Sequence, residues 1–181
     1  MAGKREATVE DLYHVEGKAE LVNGELVLLP MTSGLHGFAV GQVFASLLAY
    51  ERLTGRGHAL PDNVGFVINL VHRRSFSPDV AFAVQPLTSE FVAGAPALAV
   101  EVRSQEDYGP VAERAVADKR ADYFAAGTLV VWDVDTLRDQ VVRVYRASDP
   151  AAPTTYRRGE QAEAEPAVPD WSMPVDDLFP D

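Results

Sequence analysis

Two short segments near the middle of the chain share one pattern. In residues 78–84, Val80, Phe82 and Val84 alternate with Asp79, Ala81 and Ala83. In residues 97–103, Leu98, Val100 and Val102 alternate with Ala97, Ala99, Glu101 and Arg103. Side chains of a strand point alternately to its two faces. Each segment therefore predicts a strand with one bulky apolar face and one alanine face that carries a carboxylate. A solvated face would normally hold Thr, Lys, Ser or Gln. Alanines imply close packing over that face, which leaves Asp79 and Glu101 partly buried on neighbouring strands.

The flanking patterns predict the remaining elements. Thr8 caps a short helix over 8–13, with Asp11 at the capping-box position. Asn23-Gly24 between two apolar runs predicts a hairpin over 20–29. A two-residue turn pairs Val22 with Glu25 and Glu20 with Val27, so all four share a face, with Glu20 well inside the hairpin and Glu25 at a solvated turn. Ser33 or Thr32 caps a helix over about 35–53, whose stripe of His36, Val40, Val43, Leu47 and Tyr50 is widened by Phe44 and Leu48. His36, in the first turn, is either a satisfied structural histidine, the commoner case, or a substrate contact. Two further strands are expected over 56–60 and 64–70, joined by Pro61-Asp62-Asn63. The basic loop 72–74 is either a solvated turn or a phosphate contact, and 88–94 is expected as a short helical connection.

Helical phase then adds a cation. A helix over about 110–126 has Pro110 in its first turn and Gly127 at its end. At 100° per residue its buried stripe holds Ala112, Ala115, Val116, Lys119, Tyr123 and Ala126. Lysine is seldom buried without a partner. Lys119 either snorkels to solvent or reaches carboxylates beneath it, Asp79 and Glu101 being the obvious candidates. Residues 128–134 are apolar on both faces, as in a central strand, and 141–145 supply the hairpin partner. From Ala147 onward, short extended pieces and a closing helical turn read as a C-terminal extension of the same domain.

Composition narrows the function classes. The 181 residues are 47% hydrophobic and 24% charged, which suits a single soluble domain with a real core. No apolar run reaches the ~20 residues of a membrane span. The opening Met1-Ala-Gly-Lys-Arg-Glu leads into polar sequence rather than a signal-peptide core, so a cytoplasmic location is expected. The absence of cysteine excludes disulfides, thiolate metal sites and cysteine nucleophiles. A net charge of −11 removes the general attraction on which nucleic-acid binders rely, leaving a local basic patch or bound divalent metal to offset it. Residues 34–37 lack the lysine and the preceding strand of a phosphate loop. No Gly-x-Ser-x-Gly elbow occurs, and the histidines at 14, 36, 58 and 72 have no zinc spacing.

Two carboxylates on adjacent strands can hold a hard cation such as Mg²⁺. A nearby lysine could orient or deprotonate a water, or stabilise charge on a phosphate. Together they suit phosphodiester hydrolysis, with Glu20 as a third acid if the hairpin lies beside them.

At these residues the chain resembles the PD-(D/E)XK restriction-endonuclease-like superfamily, and more closely its bacterial branch labelled "putative restriction endonuclease". The resemblance runs from Glu20-Leu-Val-Asn-Gly-Glu25 through Ser77-Pro-Asp79, Ala99-Val-Glu-Val-Arg-Ser104 and the Lys119 to Gly127 stretch. It ends at Trp171-Ser-Met-Pro-Val-Asp-Asp-Leu-Phe179. It implies an α/β fold with a mixed central β-sheet flanked by helices, Asp79 and Glu101 as metal-binding acids, and Glu20 as the acid of the N-terminal element. In the superfamily pattern the catalytic lysine lies two residues after the second acid, where this chain has Arg103. In the branch it moves to the following helix, matching Lys119. Arg103 then either faces phosphate or pairs with a carboxylate. The implied protein is a Mg²⁺- or Mn²⁺-dependent endonuclease on nucleic acid, DNA before RNA, and a homodimer. The contrasting expectation, favoured by the charge and by Arg103, is a catalytically idle nuclease fold serving as a structural or interaction module. A metal hydrolase of small phosphoesters is a third.

Overall fold

The computed structural model describes residues 5–181, so the first four residues of the N-terminal stretch considered above lie outside it. The chain begins with helix α1 (Val9–Leu12), closed by the expected Thr8–Asp11 capping box. Strands β1 (Ala19–Val22) and β2 (Glu25–Leu28) form the hairpin in the expected register, Val22 opposite Glu25 and Glu20 opposite Val27. Asn23 and Gly24 take the positive φ angles, 51° and 70°, that this tight turn requires. Helix α2 (Gly34–Thr54) is capped by Ser33, whose hydroxyl accepts from the His36 amide. Its inner stripe is His36, Ala39, Val43, Leu47 and Tyr50. Val43 and Leu47 are fully buried, each worth roughly 1.5–3 kcal/mol over an exposed position.

Strand β3 (His58–Leu60) and strand β4 (Phe66–Val67) come next, shorter than the pattern suggests and parted into different sheets. Strands β5 (Ser75–Phe76), β6 (Val80–Ala83) and β7 (Val92–Ala93) follow, then β8 (Leu98–Val102). The expected helix over 88–94 is absent. Val92 is buried and pairs in parallel with Phe66, a tertiary contact that outweighs local preference. Helix α3 (Pro110–Ala126) has the expected bounds, and Gly127 ends it in the left-handed conformation at φ 108°. Strands β9 (Val130–Asp135), β10 (Val141–Arg146) and β11 (Asp149–Arg157) form a meander, and β12 (Gln161–Glu163) pairs with β13 (Ser172–Pro174).

The central sheet has the order β11-β10-β9-β8-β6-β3. It is mixed: β8 and β9 run parallel and the other neighbours antiparallel. On one face Val80, Phe82, Leu98, Val100, Trp132 and Val134 pack against α2 and the C-terminal segment, through Val168, Trp171, Met173 and Leu178. On the other, Ala81, Ala83, Ala99 and Val131 meet Phe66, Phe76 and Tyr123. The alternation expected of the two middle strands is therefore present, bulky residues toward α2 and alanines toward α3. Beyond the alanines, that second face carries the acids.

Candidate active site

The antiparallel pairing of β6 with β8 puts Val80 opposite Val100. One step outward, Asp79 stands opposite Glu101, a distance at which cross-strand side chains interact directly. The parallel pairing of β8 with β9 adds Asp133 beside Glu101. Three acids thus lie in a row across three strands. Each is answered by a different cation.

Asp133 is answered by Arg103. Its Nε and Nη2 bind the two carboxylate oxygens at 2.6 and 2.7 Å, and the same guanidinium takes Glu113 of α3 at 2.5 and 3.0 Å. Of the two roles open to Arg103, the geometry is that of a carboxylate partner. Its charge is committed to a buried fork.

Glu101 is answered by Lys119. The ammonium lies 2.9 Å from Glu101 Oε1 and 3.0 Å from Glu20 Oε1, and Tyr123 donates its hydroxyl to Glu101 Oε1 at 2.6 Å. Glu20, 3% exposed, also accepts from the Ser77 amide at 2.9 Å and from Arg73 at 2.6 Å. Arg73 is braced in turn by Asp122 of α3. The loop 72–74 therefore contributes a buried brace, and Glu25 remains at the exposed turn. Burial acts to lower the Lys119 pKa, but the Glu101 and Glu20 charges hold it above the ordinary lysine value, so it is an ammonium at neutral pH. Burial acts to raise the Glu20 pKa; Lys119, Arg73 and the Ser77 amide bring it below the ordinary value. Glu101 goes the other way, pushed up by burial and by the charges of Asp79 and Glu20 despite Lys119.

Asp79 is answered by Lys18 and His36. Lys18 Nζ is 2.7 Å from Asp79 Oδ1 and 2.7 Å from Asp62 Oδ1. The Val102 amide donates to Asp79 Oδ2 at 2.8 Å, and His36 Nε2 lies 3.2 Å from that oxygen. Burial opposes ionisation of Asp79, but His36 and Lys18 hold its carboxyl well below the usual range. His36 is raised above its ordinary value by Asp79 against the effect of burial.

These groups line one cleft of about 900 Å³. The acid row lines it together with Leu29, Pro30 and Met31. The α3 residues Ala112, Ala115 and Val116 line it as well. The stripe's phase is as expected, but of its residues only Tyr123 is buried; Ala112, Ala115, Val116 and Lys119 line the cleft, and Ala126 packs against the core beside Tyr123. The four acid and lysine candidates, Glu20, Asp79, Glu101 and Lys119, come together here, with His36 beneath Asp79 and Arg103 at the edge. Lys119 reaches Glu20 rather than Asp79.

A family model described as "Uma2: Putative restriction endonuclease" matches residues 7–176. The chain belongs to the Uma2 family. It is also similar to a solved structure from Anabaena variabilis, described as a "putative nuclease belonging to DUF820", at 17% identity and a TM-score of 0.74. That alignment covers 95% of this chain and 97% of the other, and it shows a shared fold. No curated protein matches the chain. Among the described residues no helix is long and apolar enough to cross a membrane.

Sequence reasoning missed several groups of this Uma2 site. Lys18 lies two residues before Glu20, and strand parity alone puts both on one face. The Tyr123 hydroxyl was hidden in an apolar stripe. Asp62 and Asp122 carry no local signal at all.

Among the described residues no group of three His, Asp or Glu side chains is arranged to hold a metal. Mg²⁺ accepts one or two protein carboxylates and completes its octahedron with water and substrate. The pair Asp79 and Glu101 meets that requirement. Ionisation of Glu101 is opposed by burial and then by the neighbouring Asp79 and Glu20 charges, the second of which an added cation would offset.

Proposed function

We propose that this chain is a divalent-metal-dependent nuclease, hydrolysing phosphodiester bonds of nucleic acid in the cleft above Asp79 and Glu101. The observation that carries this reading is the facing pair of acids with the Lys119 ammonium 2.9 Å from Glu101, in an open cleft. Asp79 and Glu101 would hold Mg²⁺ or Mn²⁺. The bound ion supplies a Lewis acid for a phosphate oxygen and a more acidic water.

The protein's own groups do the rest. Lys119, held protonated by its two glutamates, stabilises negative charge on the phosphate rather than removing a proton. Glu20 fixes the ammonium through one oxygen while the Ser77 amide and Arg73 fix Glu20. Tyr123 orients Glu101. A net charge of −11 makes the metal and these lysines the local attraction for a polyanion.

The test is cleavage of single- and double-stranded DNA and of RNA with Mg²⁺ or Mn²⁺, comparing the parent protein with Asp79→Ala and Glu101→Ala. Cleavage that needs metal and disappears in both variants is expected. Equal cleavage by Asp79→Ala would overturn the assignment. A parent protein with no calorimetric or thermal response to either metal would leave the fold as an idle module.

A further inference from the structure

The two lysines of the cleft are held differently. Lys119 is gripped by Glu20 and Glu101, with Arg73 bracing Glu20 from behind. Lys18 has Asp79 on one side and, on the other, Asp62, whose side chain is 43% exposed in the turn after β3. Both ammonium groups have two carboxylate partners, but only Lys18 has one, Asp62, that stands toward solvent.

The oxygens of the acid pair are also unequal. Asp79 Oδ2 takes the Val102 amide and faces His36, so Oδ1 is the oxygen open to a ligand, and Lys18 sits on it at 2.7 Å. Glu101 Oε1 takes Lys119 and Tyr123, while Oε2 has no hydrogen bond among the described residues. A cation held by both acids would meet Oε2 unoccupied and Oδ1 already neutralised by an ammonium.

We infer that Lys18 is the resident counter-ion of Asp79, that an entering divalent cation displaces it, and that the released ammonium then serves the substrate's phosphate. The inference rests on the reading that Asp79 and Glu101 hold a metal. Two cations cannot share Oδ1 without strong repulsion at this range. Lys18 keeps Asp62 as a partner at the cleft mouth when it leaves, and a lysine ammonium on a flexible stem suits such a move. In the metal-free site Lys18 thereby neutralises the Asp79 oxygen that faces the cleft. That compensation weakens its affinity for metal.

The experiment is calorimetric titration of Mn²⁺ and of Mg²⁺ into the intact chain, its Lys18→Met and Lys18→Gln variants, and Asp79→Asn. With the competing charge removed, both Lys18 variants are expected to bind metal about tenfold tighter, and Asp79→Asn to lose binding. Metal binding by the parent chain with equal or weaker binding by the Lys18 variants would overturn the displacement while leaving the metal reading intact. No binding by the parent chain would overturn both. The parent chain supplies an independent readout should a variant fold poorly: the Lys18 side-chain ammonium resonance should move on adding diamagnetic Mg²⁺, and an unmoved resonance in metal-loaded protein refutes the inference.

Discussion

Replacing Lys119 with methionine removes the ammonium that Glu20 and Glu101 share while keeping a long apolar stem. Glu20 retains Arg73 and the Ser77 amide, so the stranded group is Glu101, left with the Tyr123 hydroxyl. Breaking a buried ion pair by removing one partner costs about 3–5 kcal/mol. Lys119 and Glu101 keep 21% and 27% of their side chains exposed, which places the expected loss at the low end, about 3 kcal/mol at pH 8. For a chain of this size that lowers the melting temperature by roughly 6–12 °C. The penalty should depend on pH in one direction. Glu101 already has a raised pKa in the folded protein, and losing Lys119 raises it further. Stability from a group of that kind is present at low pH and is lost as pH rises through its folded value. At lower pH the stranded carboxyl is protonated more readily, and the loss should shrink. Lys119 itself, raised above the ordinary lysine value, stays charged across this window and adds no slope. Urea unfolding in metal-free buffer at pH 5 and pH 8 measures both losses. A loss below about 1 kcal/mol at pH 8, or equal losses at the two pH values, would refute the claim that Lys119 compensates Glu101.

Arg103→Ala should destabilise the protein by about 3 kcal/mol, because it strands buried Asp133, and Arg103→Lys should restore only part of that for want of the bidentate fork. An unchanged melting temperature with weakened phosphate binding would return Arg103 to the substrate. Trp171→Ala should cost about 3–5 kcal/mol in a single transition, since its ring packs 5.0 Å from that of Trp132 in the central strand. If the C-terminal segment were a separate unit, the Trp132 fluorescence transition would stay where it is in the parent protein.

The position of Arg103 explains where the cation of this site comes from. It stands two residues beyond Glu101, on the same strand face, and the parallel neighbour β9 brings Asp133 alongside. The guanidinium satisfies that acid and Glu113. The charge facing Glu101 must then come from elsewhere, and α3 supplies Lys119 one turn before Tyr123. The two substitutions in pattern are one arrangement, an arginine spent on the row and a lysine sent from the helix.

What the sequence determined by itself was periodic and local. A repeat of two set Asp79 and Glu101 on the alanine face of their strands; a repeat of 3.6 aimed Lys119 and Tyr123 at one side of their helix; Asn23-Gly24 set the register that turns Glu20 inward. Each follows from backbone geometry that neighbours in sequence already define. Strand order is not of that kind. Only the folded chain decided that β3 and β4 part into different sheets, that 88–94 pairs with Phe66 instead of coiling, and that the small residues of α3 wall a cleft instead of filling a core. The same holds for the partners of the acids. Asp62 and Asp133 meet their cations Lys18 and Arg103 across long stretches of chain, and a distant pairing leaves no period in the sequence between.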